Sequence, residues 1–350
     1  MEKATDIKPF DNCPALDGYH CQTNSLAKIF HFHNHPLTED ILLGLGAGMG
    51  FIYWKMKFGE STYVFMGGRG NTKEFFNDIS KRTGVRINVI FTTSVKKAEA
   101  SLLEKLEQKE PVMLFGDMGF LPWFEFPQEY HFGGHTFVVC GYDGQNTVLA
   151  SDMDQRASGL KKGFYHPTTL EQLNKARSSS HKPFPAKNTY LEFDFSQYRE
   201  PSIADIYSAI QQTVDFLLHP PIKNIGVKGL RHSAKEIMKW PAMFIDHDLR
   251  MNLFSIYIFF EIGGTGGGCF RYMYSRFLKE AAKITQNDKL LVSSERIKKA
   301  GEMYTEIGLL FDKAEKIKDI DERIKKASDI FLSIADLEEE TFSELSQNIT

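Results

Sequence analysis

The chain has 350 residues and only four cysteines, Cys13, Cys21, Cys140 and Cys269, with no Cys-x-x-Cys spacing. That scarcity argues against a thiolate zinc cage and provides no disulfide framework. Neither charge is in marked excess. Lys and Arg total 42 against 45 Asp and Glu, a formal net charge of -3, so strong counterion-release binding is not indicated and no nucleic-acid partner is expected. No uninterrupted apolar run approaches the ~18 residues that span a bilayer, and Met1 to Asp6 lacks the basic and apolar regions of an export signal. The expectation is a soluble, cytoplasmic protein with no membrane contact, in which a free thiol stays reduced. Gly-Lys-Ser and Gly-Lys-Thr are also missing, and the glycine run Gly44 to Gly50 precedes a strand-like segment, the reverse of a dinucleotide loop. It reads as tight turns.

The length suggests two domains, and the pattern along the chain divides near residue 200. Residues 1–199 alternate helical and strand-like segments. Strands are expected at Phe51 to Phe58, Val85 to Phe91, Pro111 to Gly116 and in a hairpin after His135, with Leu191 to Phe195 as an edge strand. Residues 200–350 are helical, closing with two charged helices, 288–316 and 319–345, that read as an antiparallel pair. The fold class expected is α+β with a C-terminal all-helical domain. That domain either shapes a substrate pocket, covers the core or makes a homodimer.

Cys21 stands where a loop gives way to an apolar-periodic helix. A helix N-terminus supplies unpaired N–H groups and partial positive charge, which favour thiolate and can bind an oxyanion. An imidazole to activate it is available in His135, which opens the β-branched run Thr136 to Tyr142. Asp143-Gly144 is a turn dipeptide, and the return strand Thr147 to Ser151 delivers Asp152, which can come beside His135 and hold its tautomer. Asp154, two residues on, points the same way and is the reserve.

The order of these motifs resembles papain-like cysteine enzymes, particularly bacteriocin-processing peptidases. The match is closer to the butirosin-biosynthesis acyltransferase family, through His-Cys-x-Thr-Asn-Ser-Leu at 20 to 26, the Leu43-Gly44-Leu45-Gly46 block, and Gly263 to Gly268 near the C-terminal region. The resemblance implies a papain-like core whose N-terminal helix bears Cys21 and whose antiparallel sheet bears His135 and Asp152. It implies transfer of an acyl group from a carrier-protein thioester, through acyl-Cys21, to a small-molecule amine such as an aminoglycoside or diamine in natural-product biosynthesis. The phosphopantetheine would arrive on an acyl or peptidyl carrier protein, and no resident cofactor or metal is implied. The alternatives are a peptidase or amidase using the same triad, and a non-catalytic carrier- or substrate-binding protein.

Other residues compete for these roles. Cys140 reads as core, whereas Cys13 and Cys269 lack the helix context of Cys21. His20 is a rival base, but adjacency turns its side chain away from that of Cys21. His31, His33 and His35 are spaced by two, poor for one helical face, and read as surface histidines. Papain-like peptidases place a glutamine shortly before the cysteine; here Pro14 to Tyr19 contains none. The Cys21 N–H is then the first oxyanion donor, with Asn12, Tyr19 or Gln22 open as the second. Residues 155–187 form the most basic stretch, including Arg156, Lys161, Lys162, Lys175 and Arg177, with Thr168 and Glu171 at capping-box spacing. It reads as a solvated surface insertion or, functionally, as a patch that steers an acidic carrier protein. Trp54, Trp123, Phe124 and Phe126 are core or acyl-pocket aromatics.

Overall fold

A computed structural model describes residues 7–58, 61–127, 130–154 and 159–349; Arg156 and the start Met1 to Asp6 lie outside them. The elements run α1 (Cys21–Phe32), α2 (Glu39–Leu45), β1 (Met49–Phe58), β2 (Ser61–Arg69), α3 (Phe75–Thr83), β3 (Arg86–Ile90), α4 (Val95–Glu107), β4 (Val112–Gly116), β5 (His135–Tyr142), β6 (Thr147–Met153), β7 (Gly163–Thr169), α5 (Leu170–Ser178) and β8 (Tyr190–Asp194). Helices follow: α6 (Ile203–Leu218), α7 (Gly226–Ile237), α8 (Trp240–Met243), α9 (Asp246–Tyr257), α10 (Arg271–Thr285), α11 (Lys289–Leu310) and α12 (Ile320–Asn348). The class is α+β with a helical C-terminal region. Among the described residues no helix is long and apolar enough to cross a membrane.

Two compact units emerge, and the division at residue 199 is only one of their boundaries. One unit comprises residues 1–42 and 83–199, the other 43–82 and 200–350. The sequence expectation of an unbroken 1–199 domain is therefore corrected. The reason is the β1–β2 hairpin, whose Phe51, Tyr53, Val64 and Met66 are buried with Leu230, Leu253 and other apolar side chains of the later helices. Each such burial contributes about 1.5–3 kcal/mol. Tyr53 adds two main-chain ties, its N–H to Asn224 O (2.9 Å) and its carbonyl to Asn224 Nδ2 (3.0 Å). β2 was not anticipated, because Gly67-Gly68 interrupts its alternation.

In the first unit a six-stranded antiparallel sheet has the order β3-β8-β4-β5-β6-β7. β8 is thus interior rather than the edge strand expected, and β3 and β7 form the edges. β7 and α5 fall inside the basic stretch, so these residues build the sheet and its covering layer instead of a surface insertion. Lys161 and Arg177 are buried, Lys162 pairs with Asp17 (3.1 Å) and Lys175 with Glu171 (2.9 Å). The capping box is formed by Thr169 and Gln172, one residue beyond the expected pair, because Thr169 ends β7.

β5 and β6 pair with a bulge. Tyr142 faces Val148 and Gly141 faces Leu149, but Val139 faces Ala150 and Val138 faces Ser151, leaving Cys140 as the extra residue. Continuing that register sets Asp152 opposite Phe137, on the face that His135 shares. An unbulged hairpin would set Asp152 opposite Val138, on the other face.

In the second unit, α9 runs into a π-helical turn, Ile258–Ile262, and the glycine block ends with Cys269 and Phe270 at φ 52° and 71°. α10 therefore begins only at Arg271, after these two residues. Here Arg271 is fully buried and forks onto Glu338, Nε to Oε1 at 2.8 Å and Nη2 to Oε2 at 3.0 Å, while Nη1 donates to Gly50 O and Cys269 O. Removing one partner of such a pair strands a buried charge. Glu338→Ala should lose about 3–5 kcal/mol in denaturant titration, whereas a combined Arg271→Met and Glu338→Leu variant should lose clearly less.

Candidate active site

α1 starts at Cys21, with His20 as its N-cap in extended conformation and no side-chain cap of its own. The segment is held instead by Glu39, the first residue of α2. Its Oε1 accepts the Tyr19 N–H (2.9 Å) and Asn24 Nδ2 (3.3 Å), and its Oε2 accepts the Thr23 hydroxyl (2.6 Å) and the His20 N–H (3.1 Å). A Cβ on Gly18 would overlap the Glu39 carboxylate and the Asn24 amide. Gly18 also pairs through its main chain with Lys161, N–H to O at 2.9 and 2.7 Å. The Thr-Asn of the cysteine motif is thereby explained: both side chains dock on one buried carboxylate, which fixes where the sulfur points. Burial raises the Glu39 carboxyl, and these four donors work against it.

His135 and Asp152 are each 2 % exposed, and His135 Nε2 donates to Asp152 Oδ2 at 2.7 Å. That leaves Nδ1 for the hydrogen bond between the imidazole and the Cys21 sulfur. The Thr136 N–H and hydroxyl also reach the sulfur. Burial pushes the Cys21 thiol up, but the bond to and charge of His135, with Thr136, outweigh it, so the thiol titrates below its ordinary value. Burial pulls His135 down, but the charge and bond of Asp152, then Cys21, push it up to about 10. Burial likewise raises Asp152, and His135, Lys28 and the Met153 N–H hold it below the usual carboxylate range. The directions of these shifts favour thiolate beside imidazolium beside carboxylate.

Aromatic rings close the far side of this pair. Trp123 Nε1 donates to the same Asp152 oxygen at 2.9 Å, and its indole stacks on His166 at 4.9 Å. The Phe124 ring meets His135 edge-on at 5.4 Å and continues through Phe126 to Tyr130. Trp54 is exposed on β1, which belongs to the other unit. Of the remaining candidates, Asp154 gives its N–H to Lys162 O beyond β6. Tyr19 has its N–H on Glu39, and Asn12 sits at φ 61° with its carbonyl against His31 Nδ1. His33 stacks on Phe195 at 4.2 Å and His35 on Tyr198 at 3.8 Å, so two of the clustered histidines are packing residues. Cys13, Cys140 and Cys269 are all buried. Among the described residues no group of three or more His, Cys, Asp or Glu could hold a metal ion.

Three charged residues of the site escaped the sequence reading: Glu39, Lys28 and Lys161. Lys28 interrupts the apolar run Leu26-Ala27-Lys28-Ile29-Phe30, the one signal in the sequence of its burial. Lys161 is buried near Cys21, Glu39 and Asp154, and burial brings its ammonium down to about 8.

Residues 20–153 match the family model described as butirosin biosynthesis protein H, N-terminal, and residues 171–345 match a domain of unknown function, DUF4872. The chain belongs to the butirosin biosynthesis protein H-type family, named for an antibiotic pathway. No curated protein matches the chain.

The thiolate form has a direct readout in alkylation. Wild-type Cys21 should react with iodoacetamide well below the pH range of an ordinary thiol. His135→Ala deletes the leading influences that lower its pKa and leaves burial, which raises it, so the rate at pH 7 should fall roughly 100-fold, followed by intact-protein mass spectrometry.

Proposed function

We propose that the protein is a cysteine-dependent acyltransferase with a papain-like catalytic unit, forming an amide from a carrier-bound thioester and a small-molecule amine. The observation that carries this reading is the series of side-chain interactions from Cys21, at the start of α1, through the buried His135 to the buried Asp152. A helix bearing the thiol and an antiparallel sheet bearing the base and acid are the parts a papain-like enzyme requires. Membership of a family named for butirosin biosynthesis favours synthesis over protein breakdown.

The Cys21 thiolate attacks the thioester carbonyl, and the C–S bond to the carrier's phosphopantetheine breaks. The departing thiolate takes the proton of the His135 imidazolium, leaving an acyl-Cys21 thioester and neutral imidazole. The acceptor amine then attacks that carbonyl while His135 takes its proton. Collapse expels the Cys21 thiolate and restores the ion pair. The N–H of Cys21 at the helix start serves as one oxyanion donor. Thioester exchange is nearly isoenergetic and aminolysis is downhill, so no nucleotide is consumed, and the phosphopantetheine belongs to the donor. Asp152 keeps the ring oriented and stabilises its charged form throughout.

The test supplies an acyl-loaded carrier protein alone and then with an amine. Intact-mass measurement should show an acyl adduct on wild-type protein that is absent from Cys21→Ala, and the adduct should be discharged as amide when amine is added. Free acid as the sole product would convert the reading to a hydrolase, and turnover by Cys21→Ala would remove it.

A further inference from the structure

Lys28 is 1 % exposed, an expensive position for an ammonium group unless something nearby repays its lost hydration. It lies seven residues after Cys21, on the same face of α1. Ser25, between them, touches Thr136 with its hydroxyl at 3.4 Å, so this stripe packs on the strand headed by His135. Long side chains on a helix lean toward its N-terminus, here toward the cysteine end. Lys28 Nζ ends 3.1 Å from the carbonyl oxygen of Ser151, the residue immediately before Asp152.

The charged and titratable groups around it come from every neighbouring element. Burial draws the Lys28 ammonium below its ordinary value, and Asp152 on β6, Cys140 in the bulge of β5, Cys13 on the amino-terminal segment and Glu39 on α2 act against it. Around Asp152 stand His135, the Trp123 N–H and His166 on β7, which burial keeps neutral to lower pH than usual. Counting formal charges in this buried set, Cys21 and His135 cancel as an ion pair. Asp152 and Glu39 then carry two negative charges, and Lys28 and Lys161 two positive ones. With Asp154, which also acts on Lys161, the carboxylates outnumber the two ammonium groups, so the positive charge of Lys28 offsets negative charge that would otherwise stand uncompensated.

We propose that Lys28 is the buried counter-ion of the His135–Asp152 pair, a positioning residue that sets the pH window in which Cys21 is a thiolate. It touches no reacting atom. It holds the end of β6 through Ser151 and places one positive charge beside a carboxylate that is otherwise cut off from water. The inference rests on the triad reading above and adds a member to it. The sign follows from charge alone: deleting a buried cation makes every neighbouring proton harder to lose, so Cys21, His135 and Asp152 all titrate at higher pH.

The experiment measures iodoacetamide alkylation of Cys21 from pH 4 to 9 in wild type, Lys28→Met and Lys28→Gln, with thermal melts alongside. Gln keeps a donor for Ser151 O and lacks the charge, and it decides the matter should the Met variant fail to fold. The acid limb is expected to move up by roughly half to one pH unit in each folded variant. Melting temperature should fall in both variants, since removing one partner of a buried charge pair leaves the other uncompensated. Coincident limbs in variant and wild type overturn the inference. So does a shift in Met with none in Gln, which would make the Ser151 contact or packing responsible. An ordinary-thiol profile in wild type sinks the triad reading itself, a result distinct from either.

Discussion

The site depends on one buried bond, the 2.7 Å contact between His135 and Asp152. A carboxylate this secluded is worth keeping ionised only if a cation meets it, and an imidazole this secluded is protonated only if an anion does. Each group supplies the other's condition, and a charged ring in turn favours loss of the proton from the thiol. The bond in turn rests on a backbone detail. The extra residue at Cys140 shifts the β5–β6 register by one, and that shift brings Asp152 to the face His135 occupies.

A second constraint acts from the opposite direction. The sulfur must be delivered to the ring, and the segment bearing it has no helix cap of its own. Glu39 takes that role from a distance in sequence, collecting main-chain and side-chain donors from residues 19 to 24. Acid and base are positioned by a sheet, the thiol by a helix start tied to a carboxylate. In the second unit, Arg271 and Glu338 use the same economy: a buried charge is tolerated because a bidentate partner and backbone carbonyls surround it.

Much of this was legible in the sequence where the signal is local. The helix start at Cys21, the Asp143-Gly144 turn, the strand opened by His135 and the helical character of residues 200–350 follow from helix-start, turn and periodicity signals. The choice of Asp152 over Asp154 was also reachable, although the hairpin argument omitted the bulge that makes it geometrically sound. What escaped were relationships between distant residues. Nothing local marks Glu39 as the anchor of residues twenty positions earlier, or Lys28 as a core ammonium rather than a helix-surface charge. β7 was hidden because Phe164, Tyr165 and His166 lie in a stretch whose lysines suggested solvent, and two of its basic residues turned out to be buried.

The interleaving of the units carries a consequence for how the polypeptide is assembled. Because residues 43–82 are contributed to the later unit, a ribosome releases the thiol-bearing helix first, then a hairpin whose apolar face has no counterpart until the chain beyond residue 200 exists, and only afterwards the strands with the imidazole and carboxylate. Neither half can be excised by a single cut. A shortened polypeptide ending at residue 199 would carry Phe51, Tyr53, Val64 and Met66 without the partners that bury them, a sticky surface rather than a minimal enzyme.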